Sequence, residues 1–364
     1  MNKGLGEHRL RDVIARVAIV GIALFVASCG DSGTDNPHVD STARSMAHME
    51  YLSDEIGPRV AGQAGESEAA DYIRTQFLAM GYQPETQPFP ASDDWGNVVN
   101  SANVIAVLKG GSDREIIVGA HYDSVDVGRG YGDNASGVGL MLAIAERLRS
   151  STPPFTIRFI AFGAEEIGLC GSLYYTANMS GGEIANTVGM IDLDTVVGGD
   201  MIYVYGGAEG QGWMRDQALA IARKRQIALR TNPGLNPAYP QGTTGDWSDH
   251  APFRELGIDY MYLEATNWDI GDLDGWQQTE KFGEIYHTEN DTLAFLEREY
   301  PGRIESQLGG FAVVLEEFLL TVEPPAPSAA SILSDQTRRP AVPMRYLHRD
   351  GSPISNLQQY RKRH

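Results

Sequence analysis

The sequence predicts an α/β protein with a mostly parallel central sheet and helices on both faces. Short apolar runs at 116–118, 156–162 and 187–193 are separated by segments with helical periodicity. These runs are largely apolar instead of alternating between apolar and polar residues, which is typical of strands that a parallel sheet buries on both faces. The length of 364 residues and the hydrophobic content of 42% suit one large domain of this class.

Each expected helix has apolar residues at every third or fourth position and stops near a Gly, a Pro or a polar stretch. The helices are predicted at 46–56, 66–80, 135–149, 167–179, 211–225 and 303–320. The strands are predicted at 104–108, 115–120, 156–162, 187–193, 201–205 and 258–263. The Gly-Gly-Ser sequence at 110–112 predicts a hairpin between the first two strands. Residues 83–100 are interpreted as loop or edge strand, and residues 230–249 and 265–286 as loops.

The N-terminus has the composition of a targeting segment. Four basic residues precede an apolar run of eleven residues at 17–27, which is too short for a bilayer span of roughly 20 residues. The run leads into Val-Ala-Ser-Cys at 26–29, which resembles a bacterial lipoprotein box. That resemblance implies cleavage before Cys29, a lipid on Cys29 that anchors the protein to a membrane, and a location in the bacterial cell envelope, on the periplasmic or extracellular side. An ordinary secretory signal is the alternative.

The composition divides the chain into four parts. Residues 1–28 are predicted to be a lipoprotein signal peptide and residues 29–45 a tether. Residues 46–323 are predicted to form the folded domain, and residues 324–364 a basic, Pro-containing tail that is expected to be flexible. The only Cys besides Cys29 is Cys170. A lipidated Cys29 therefore leaves no disulfide within the chain, and a Cys-based metal site is excluded.

The net charge is unevenly spread. The chain carries −19 in total, but residues 1–28 carry +2 and residues 324–364 carry +5, which leaves −26 on residues 29–323. A body this acidic repels phosphate backbones, so we expect no nucleic-acid partner. It suits a protein that attracts cations or basic ligands. The sequence does not indicate an oligomeric state.

Five stretches with metal-ligand side chains stand at the ends of predicted strands or in the loops that follow. They are His121-Tyr122-Asp123, Gly132-Asp133-Asn134, Ala164-Glu165-Glu166, Asp192-Leu193-Asp194 and Tyr286-His287-Thr288. Each alone has a simpler interpretation, since an Asp after a strand commonly caps a helix and paired Glu residues are usually solvated. Their order at strand ends, where open α/β sheets bind ligands, favours a metal site. Mixed nitrogen and oxygen ligands suit catalytic Zn²⁺.

Six ordered motifs resemble those of the M28 family of zinc aminopeptidases. They are GAHYDS at 119–124, GDNASG at 132–137, FGAEEIGLCGS at 162–172, IDLDTVVGG at 191–199, SDHAPF at 248–253 and YHTENDTL at 286–293. The resemblance covers roughly residues 45–320. It implies a three-layer fold like that of the zinc exopeptidases, with peptides as substrates.

The resemblance also implies roles for individual residues. Two zinc ions would be held by a bridging carboxylate and by one pair of ligands for each ion: Asp133 as the bridge, His121 with Asp194, and Glu166 with His287. Glu165 would be the general acid/base, and Asp123 would orient His121 through its other ring nitrogen. Asp192 departs from the family, which often has Asn at that position.

Other residues near these motifs have two interpretations each. Tyr286 matches a Tyr that donates to the oxyanion in some family members, or it only packs. Asp249-His250 either positions the site or caps the helix that follows. The three Trp residues in the flanking loops either line an apolar specificity pocket or anchor those loops: Trp247, Trp268 and Trp276.

The function that follows from the resemblance is zinc-dependent removal of N-terminal residues from peptides. A water that bridges the metals would attack the scissile carbonyl, and Glu165 would take its proton and pass it to the leaving amine. One alternative is a glutaminyl cyclase, which shares the fold, uses a single zinc and hydrolyses no bond. Another is a non-catalytic binding member of the fold, although no expected ligand or base is missing from this sequence.

Overall fold

The computed structural model describes residues 37–92, 96–208 and 211–325, with the side chains of the first helix described from Ser41 onward. The predicted signal peptide, Cys29 and the tail beyond residue 325 lie outside this part of the chain. Within it, no helix combines the length and the apolar character that crossing a membrane requires.

A seven-stranded sheet forms the centre of the fold. Its strands in chain order are β1 (Glu85–Ser92), β2 (Val98–Leu108), β3 (Glu115–His121), β4 (Thr156–Phe162), β5 (Thr187–Leu193), β6 (Met201–Gly206) and β7 (Tyr260–Thr266). Across the sheet they follow the order β1-β2-β4-β3-β5-β7-β6. The four central strands β4, β3, β5 and β7 run parallel, whereas the strands at both edges pair antiparallel. The sheet is therefore mixed with a parallel core, as the fold class predicted.

The predicted hairpin between β2 and β3 is wrong. Strand β4 lies between them and pairs antiparallel with β2 and parallel with β3. All seven residues of β3 are buried, so this strand needs a hydrogen-bonded partner on each edge, which a hairpin at the sheet margin would not supply. The six residues at 109–114 are long enough to pass over one strand, since neighbouring strands lie about 4.8 Å apart.

Helices cover both faces of the sheet. In chain order they are α1 (Pro37–Glu50), α2 (Ala64–Ala79), α3 (Ser136–Leu148), α4 (Cys170–Asn178), α5 (Gly181–Asn186), α6 (Trp213–Arg225), α7 (His250–Glu255), α8 (Leu293–Glu299) and α9 (Arg303–Thr321). Alternate residues of β3 face opposite layers. Ile116 and Val118 belong to the larger core with α2, α3, α6 and α9, whereas Ile117 belongs to a smaller core that includes Phe253 of α7.

Several boundaries differ from those predicted. Helix α1 begins at Pro37, so residues 37–45 are helical and the predicted tether does not extend through them. Short π-helical turns at Tyr51–Ile56 and Tyr131–Ala135 follow α1 and precede α3. Helices α5 and α8 were not predicted, because six or seven residues are too few to show a periodic pattern. Their N-caps, Ser180 and Thr292, were visible signals for both.

Candidate metal centre

The parallel core brings the predicted ligands to one edge of the sheet. Strand β3 ends at His121, β4 ends three residues before Glu165, and β5 ends immediately before Asp194. Because parallel strands have their carboxyl ends at the same edge, these side chains meet there. Asp133 comes from the π-helical turn before α3, and His287 from the loop that precedes α8.

The first half of the site consists of His121 and Asp194, and we call it the strand half. The Nε2 atom of His121 lies 3.2 Å from Asp194 Oδ1 and 3.2 Å from Asp133 Oδ1. The side chain of His121 is only 2% exposed. One oxygen of the Asp133 carboxylate therefore faces the strand half.

The second half consists of Glu166 and His287, and we call it the loop half. The Nε2 atom of His287 lies 3.1 Å from Glu166 Oε2 and 3.0 Å from Asp133 Oδ2. The second oxygen of Asp133 thus faces the loop half. The structure brings all five predicted ligands together, with the Asp133 carboxylate between two pairs of one imidazole and one carboxylate.

These residues suit a metal such as zinc. Donor atoms of His121, Asp133 and Glu166 all lie within 4.8 Å of one another. A tetrahedral zinc ion with ligands at about 2.0–2.2 Å separates its donors by about 3.4 Å, close to the 3.0–3.2 Å contacts of each half. Glu166 Oε1 is buried and has no hydrogen-bond partner among the described residues, which leaves it available to a cation.

The pKa shifts of the site residues indicate that the site favours a positive charge. Burial alone would lower the pKa of His121, but the carboxylates of Glu165 and Asp194 raise it well above its ordinary value. Burial would raise the pKa of Asp133, yet hydrogen bonds from His121 and His287 hold it well below its usual range. Without a metal, protonated imidazoles provide the positive charge, and a metal replaces those protons because ligating His must be neutral.

Asp123 contacts both halves. Its Oδ1 accepts a hydrogen bond from the backbone N–H of Glu165 at 2.9 Å, and its Oδ2 accepts one from that of Glu166 at 3.1 Å. The Nδ1 atom of His121 lies 3.3 Å from the backbone oxygen of Asp123 and 3.7 Å from its carboxylate. The side chain therefore positions the loop that carries Glu165 and Glu166, in addition to lying beside His121.

Two buried residues at the site were missed by the sequence reasoning. Asp291 accepts hydrogen bonds from the backbone N–H groups of Gly132 at 2.5 Å and Asp133 at 3.1 Å, and so fixes the backbone at Asp133. It lies within the motif at 286–293, but the residue types of the motif did not indicate its backbone partners. Arg59 precedes the motifs altogether, and nothing nearby in the sequence indicated its role.

Arg59 ties the site loops to the preceding segment. Its side chain is fully buried and donates to five backbone carbonyls: those of Leu52, Gly57, Tyr122, Arg129 and Gly130. Tyr122 follows His121, and Gly130 lies just before the turn that carries Asp133. A single guanidinium thus holds the start and the end of the loop between His121 and Asp133.

The geometry of Tyr286 does not fit the predicted oxyanion donor. Its hydroxyl lies 2.7 Å from the backbone oxygens of Val197 and Ala265 and 3.1 Å from that of Thr195. The single hydroxyl proton is therefore directed at backbone carbonyls. Burial also raises the pKa of Tyr286 well above its ordinary value. The ring lines the cavity at the site, but the hydroxyl is used for packing the chain.

The remaining candidate residues either line the cavity or pack behind the residues that line it. Trp247 and Trp276 line the cavity, whereas Trp268 is fully buried and supports it from behind. Asp192 Oδ2 accepts a hydrogen bond from the backbone N–H of His250 and lies 3.0 Å from His250 Nδ1. His250 is thereby held by Asp192 at one ring nitrogen, and its other ring nitrogen lies 3.1 Å from the backbone oxygen of Gly245.

Comparisons with known proteins show which proteins this chain resembles. The sequence profile of peptidase family M28 matches residues 103–312. The alkaline phosphatase isozyme conversion protein of Escherichia coli is 38% identical over 280 residues, which are 68% of this chain and 81% of that protein. Aminopeptidase YwaD of Bacillus subtilis is 32% identical over 209 residues, which are 55% of this chain but only 41% of that protein.

Solved structures show the same fold. A zinc aminopeptidase from Bacillus subtilis superposes with a TM-score of 0.62 at 20% identity, covering 78% of this chain and 96% of that one. A glutaminyl cyclase from Porphyromonas gingivalis superposes with a TM-score of 0.60 at 19% identity, covering 77% and 98%. The two scores are nearly equal, so the backbone alone does not distinguish a peptidase from a cyclase.

Proposed function

This chain belongs to peptidase family M28, and we propose that it removes N-terminal residues from peptides with two zinc ions. The observation that carries the proposal is the position of Asp133, whose two oxygens each face one imidazole–carboxylate pair. In this proposal His121 and Asp194 hold one ion, Glu166 and His287 the other, and Asp133 both. A single-zinc cyclase needs no second complete pair.

Glu165 is the general base in this proposal. Its Oε2 lies 4.0 Å from His121 Nε2, its side chain lines the cavity, and the Asp123 carboxylate fixes its backbone N–H. Burial, opposed by His121 and reinforced by Glu166, raises the pKa of Glu165 well above its ordinary value. As a carboxylate, Glu165 can accept a proton from water and return it to the leaving amine. When bound, zinc supplies a Lewis acid and lowers the pKa of a water ligand.

The deciding experiment combines zinc content with product analysis. We expect about two zinc ions per chain and release of the N-terminal amino acid from aminoacyl substrates, both abolished by a chelator. Glu165→Gln should keep the zinc and lose about 10²- to 10⁴-fold in kcat, the usual contribution of a general base. Turnover that survives in Glu165→Gln would remove Glu165 from the mechanism. Release of ammonia from N-terminal Gln without amino-acid release would instead identify a cyclase.

We also propose that a lipid on Cys29 anchors the protein in the bacterial cell envelope. The support is the basic N-terminus, the short apolar run at 17–27 and the sequence at 26–29. Mass spectrometry of the mature N-terminus should find a lipid on Cys29, and Cys29→Ser should move the protein from the membrane fraction to the soluble fraction. A membrane fraction unchanged by Cys29→Ser would contradict the anchor.

A further inference from the structure

Helix α3 spans the depth of the fold and gives its two edges a direction. It begins three residues after Asp133, and it connects β3 to the parallel strand β4. A connection between parallel strands must return to the edge where the next strand starts, so α3 runs away from the metal centre. Its 13 residues cover about 20 Å. We call the edge of the sheet where α3 begins the metal edge and the opposite one the far edge.

Helix α1 begins at the far edge. Its Arg44 forms an ion pair at 2.5 Å with Glu146, near the end of α3. Its Met49, more than one turn later, packs against Gly139 near the start of α3. The two helices are therefore antiparallel, and α1 runs toward the metal centre. The chain before Pro37 consequently joins the fold at the far edge.

Helix α9 ends at the far edge. Near its start, Arg303 lies 3.0 Å from Asp200, in the segment that follows β5 at the metal edge. More than three turns later, Glu316 forms an ion pair at 3.0 Å with Arg147, in the last turn of α3. The chain after Thr321 therefore leaves the fold at the same edge as the chain that precedes α1.

The two edges differ strongly in charge. At the metal edge, the segments that follow the parallel strands are 122–135, 163–169, 194–200 and 267–292. They contain fourteen Asp and Glu residues against two Lys and Arg. At the far edge, the segments that precede the same strands are 109–114, 149–155, 179–186 and 256–259. They contain three acidic and three basic residues, so much of the negative charge of the protein lies around the metal centre.

The segments attached at the far edge suit a membrane surface. Seven residues separate Cys29 from Pro37, so a lipid on Cys29 keeps the start of α1 within about 29 Å of the bilayer. Residues 324–364 carry seven Lys and Arg against two Asp. Basic segments are attracted to the anionic headgroups of phospholipids. An anchor and a basic segment therefore both connect to the same edge of the fold.

A bilayer with anionic lipids favours one orientation of this protein. At physiological ionic strength, charges are screened over about 8 Å. With the far edge against the headgroups, the metal edge lies about 20 Å further out, beyond this range. With the metal edge against the headgroups, its acidic residues would face lipid phosphates, and two zinc ions would offset only four of the twelve excess charges. The favoured orientation directs the metal centre away from the membrane.

We propose that the far edge is a membrane-facing surface that lies against anionic phospholipid headgroups, with the metal centre directed away from the bilayer. The inference rests on the lipid anchor proposed above, which brings the protein to the membrane, and the basic residues of 324–364 bind the headgroups beside it. Substrates then reach the metal centre from the aqueous side. Peptides in solution are accessible to the site, whereas N-termini held at the bilayer surface are not.

The test measures the distance of each edge from a bilayer. Residues 29–364 are coupled through the Cys29 thiol to a maleimide phospholipid, in vesicles of equal parts phosphatidylglycerol and phosphatidylcholine. Cys170 is fully buried and stays unreacted. A donor dye is attached to a click-reactive amino acid in place of exposed Ser150, at the far edge, or exposed Asp126, at the metal edge. Energy transfer to an acceptor lipid from position 150 should exceed that from position 126 by about twofold or more, because α3 separates the edges by about 20 Å.

Lipid charge and the basic segment are then varied separately. In vesicles of phosphatidylcholine alone, the ratio of the two transfer efficiencies should fall toward one. Gln in place of all seven Lys and Arg of residues 324–364 should lower the ratio on anionic vesicles in the same way. Asp335→Asn with Asp350→Asn is the matched control, since it changes the same segment but keeps its basic residues, and it should preserve or raise the ratio. Zinc content and the melting temperature of both variants should match those of the wild type.

Three results would overturn the inference in different ways. Equal transfer from the two positions, or stronger transfer from position 126, would refute the orientation and leave the proposed reaction standing. A ratio that depends neither on lipid charge nor on the seven basic residues would refute binding to anionic headgroups. A change in kcat/KM for a small substrate without vesicles, on neutralising the basic segment, would show that this segment binds the metal edge of its own chain instead. Because the coupling supplies the anchor, a mature protein without lipid on Cys29 would refute the proposed lipid anchor alone.

Discussion

The two halves of the metal centre are chemically alike but structurally different. His121 is the last residue of a buried central strand, and its side chain is 2% exposed. His287 lies in a loop with a φ of 58°, in the left-handed region, and its side chain is 23% exposed. The strand half is therefore part of the core, whereas the loop half has a partly exposed imidazole on backbone in the left-handed region beside the buried side chain of Glu166. Equivalent substitutions should consequently have unequal effects on stability.

The largest expected effect comes from removing each imidazole. His121→Ala and His287→Ala should each lose about one zinc ion and more than 100-fold in kcat/KM, since even residues behind the ligands contribute 10- to 100-fold. In zinc-free protein His121→Ala should also destabilise the fold by about 3 kcal/mol, because it leaves buried carboxylates without a counter-charge. His287→Ala should cost about 1 kcal/mol or less.

Zinc analysis and denaturant unfolding of both variants measure this difference. His287→Gln is the milder control, since it keeps a polar group in the loop half while removing the imidazole. Equal destabilisation by the two Ala variants would show that the loop half is as much a part of the core as the strand half.

A smaller effect on stability is expected from replacing Glu66, a residue of α2 that supports the loop half. Its Oε1 accepts hydrogen bonds from Ser101 Oγ at 2.5 Å and from the backbone N–H of Ala164 at 3.1 Å. Burial, reinforced by Asp123, raises its pKa from 4.5 to about 7. An acid with a raised pKa in the folded state stabilises the fold below its unfolded pKa and loses that contribution as the pH rises.

Zinc-free wild-type protein should therefore lose stability relative to Glu66→Gln as the pH rises from about 4.5 to about 7. Melting temperatures of both proteins across this range measure the effect, expected to be a few degrees. Taking the difference in melting temperature between the two proteins cancels the contribution of the other buried acids to the pH dependence. Parallel curves would mean that Glu66 titrates in the folded protein as it does in the unfolded chain.

The smallest effect is expected from Tyr286→Phe, although Tyr286 precedes the ligand His287. Its hydroxyl bonds to backbone oxygens, so the variant should lose about 1 kcal/mol of stability and keep kcat within about threefold. Steady-state kinetics and unfolding of the same preparation separate these outcomes. A 100-fold loss of kcat with intact zinc would restore the oxyanion role that the sequence suggested.

The sequence was informative where a local pattern determines the structure. The largely apolar run of β5 and the periodic pattern of α9 predicted both elements within a residue or two. The ligands at strand ends were also recognisable, because each follows such a run. The pairing of β2 with β4 was not, since strand order depends on contacts between distant segments that no local turn signal encodes.

Residues that act through the backbone were the least visible. Asp291 and Arg59 contact N–H and C=O groups of the site loops, and backbone partners leave no pattern of residue types in the sequence. Tyr286 shows the converse, because its position next to a ligand suggested a chemical role that the direction of its hydroxyl does not support. Proximity to the motifs in the sequence predicted which residues lie near the site. Only the three-dimensional structure distinguishes groups that can react from groups that support the site.

The buried guanidinium of Arg59 has a practical consequence for shortened versions of the protein. The family profile begins at residue 103, yet the backbone carbonyls of Arg129 and Gly130, which lie before Asp133, accept hydrogen bonds from Arg59, well before that point. A fragment trimmed to the region of the profile would keep every proposed ligand and lose the Arg59 hydrogen bonds that hold the loop between His121 and Asp133. The range of the family profile is thus narrower than the part of the chain that holds the site together.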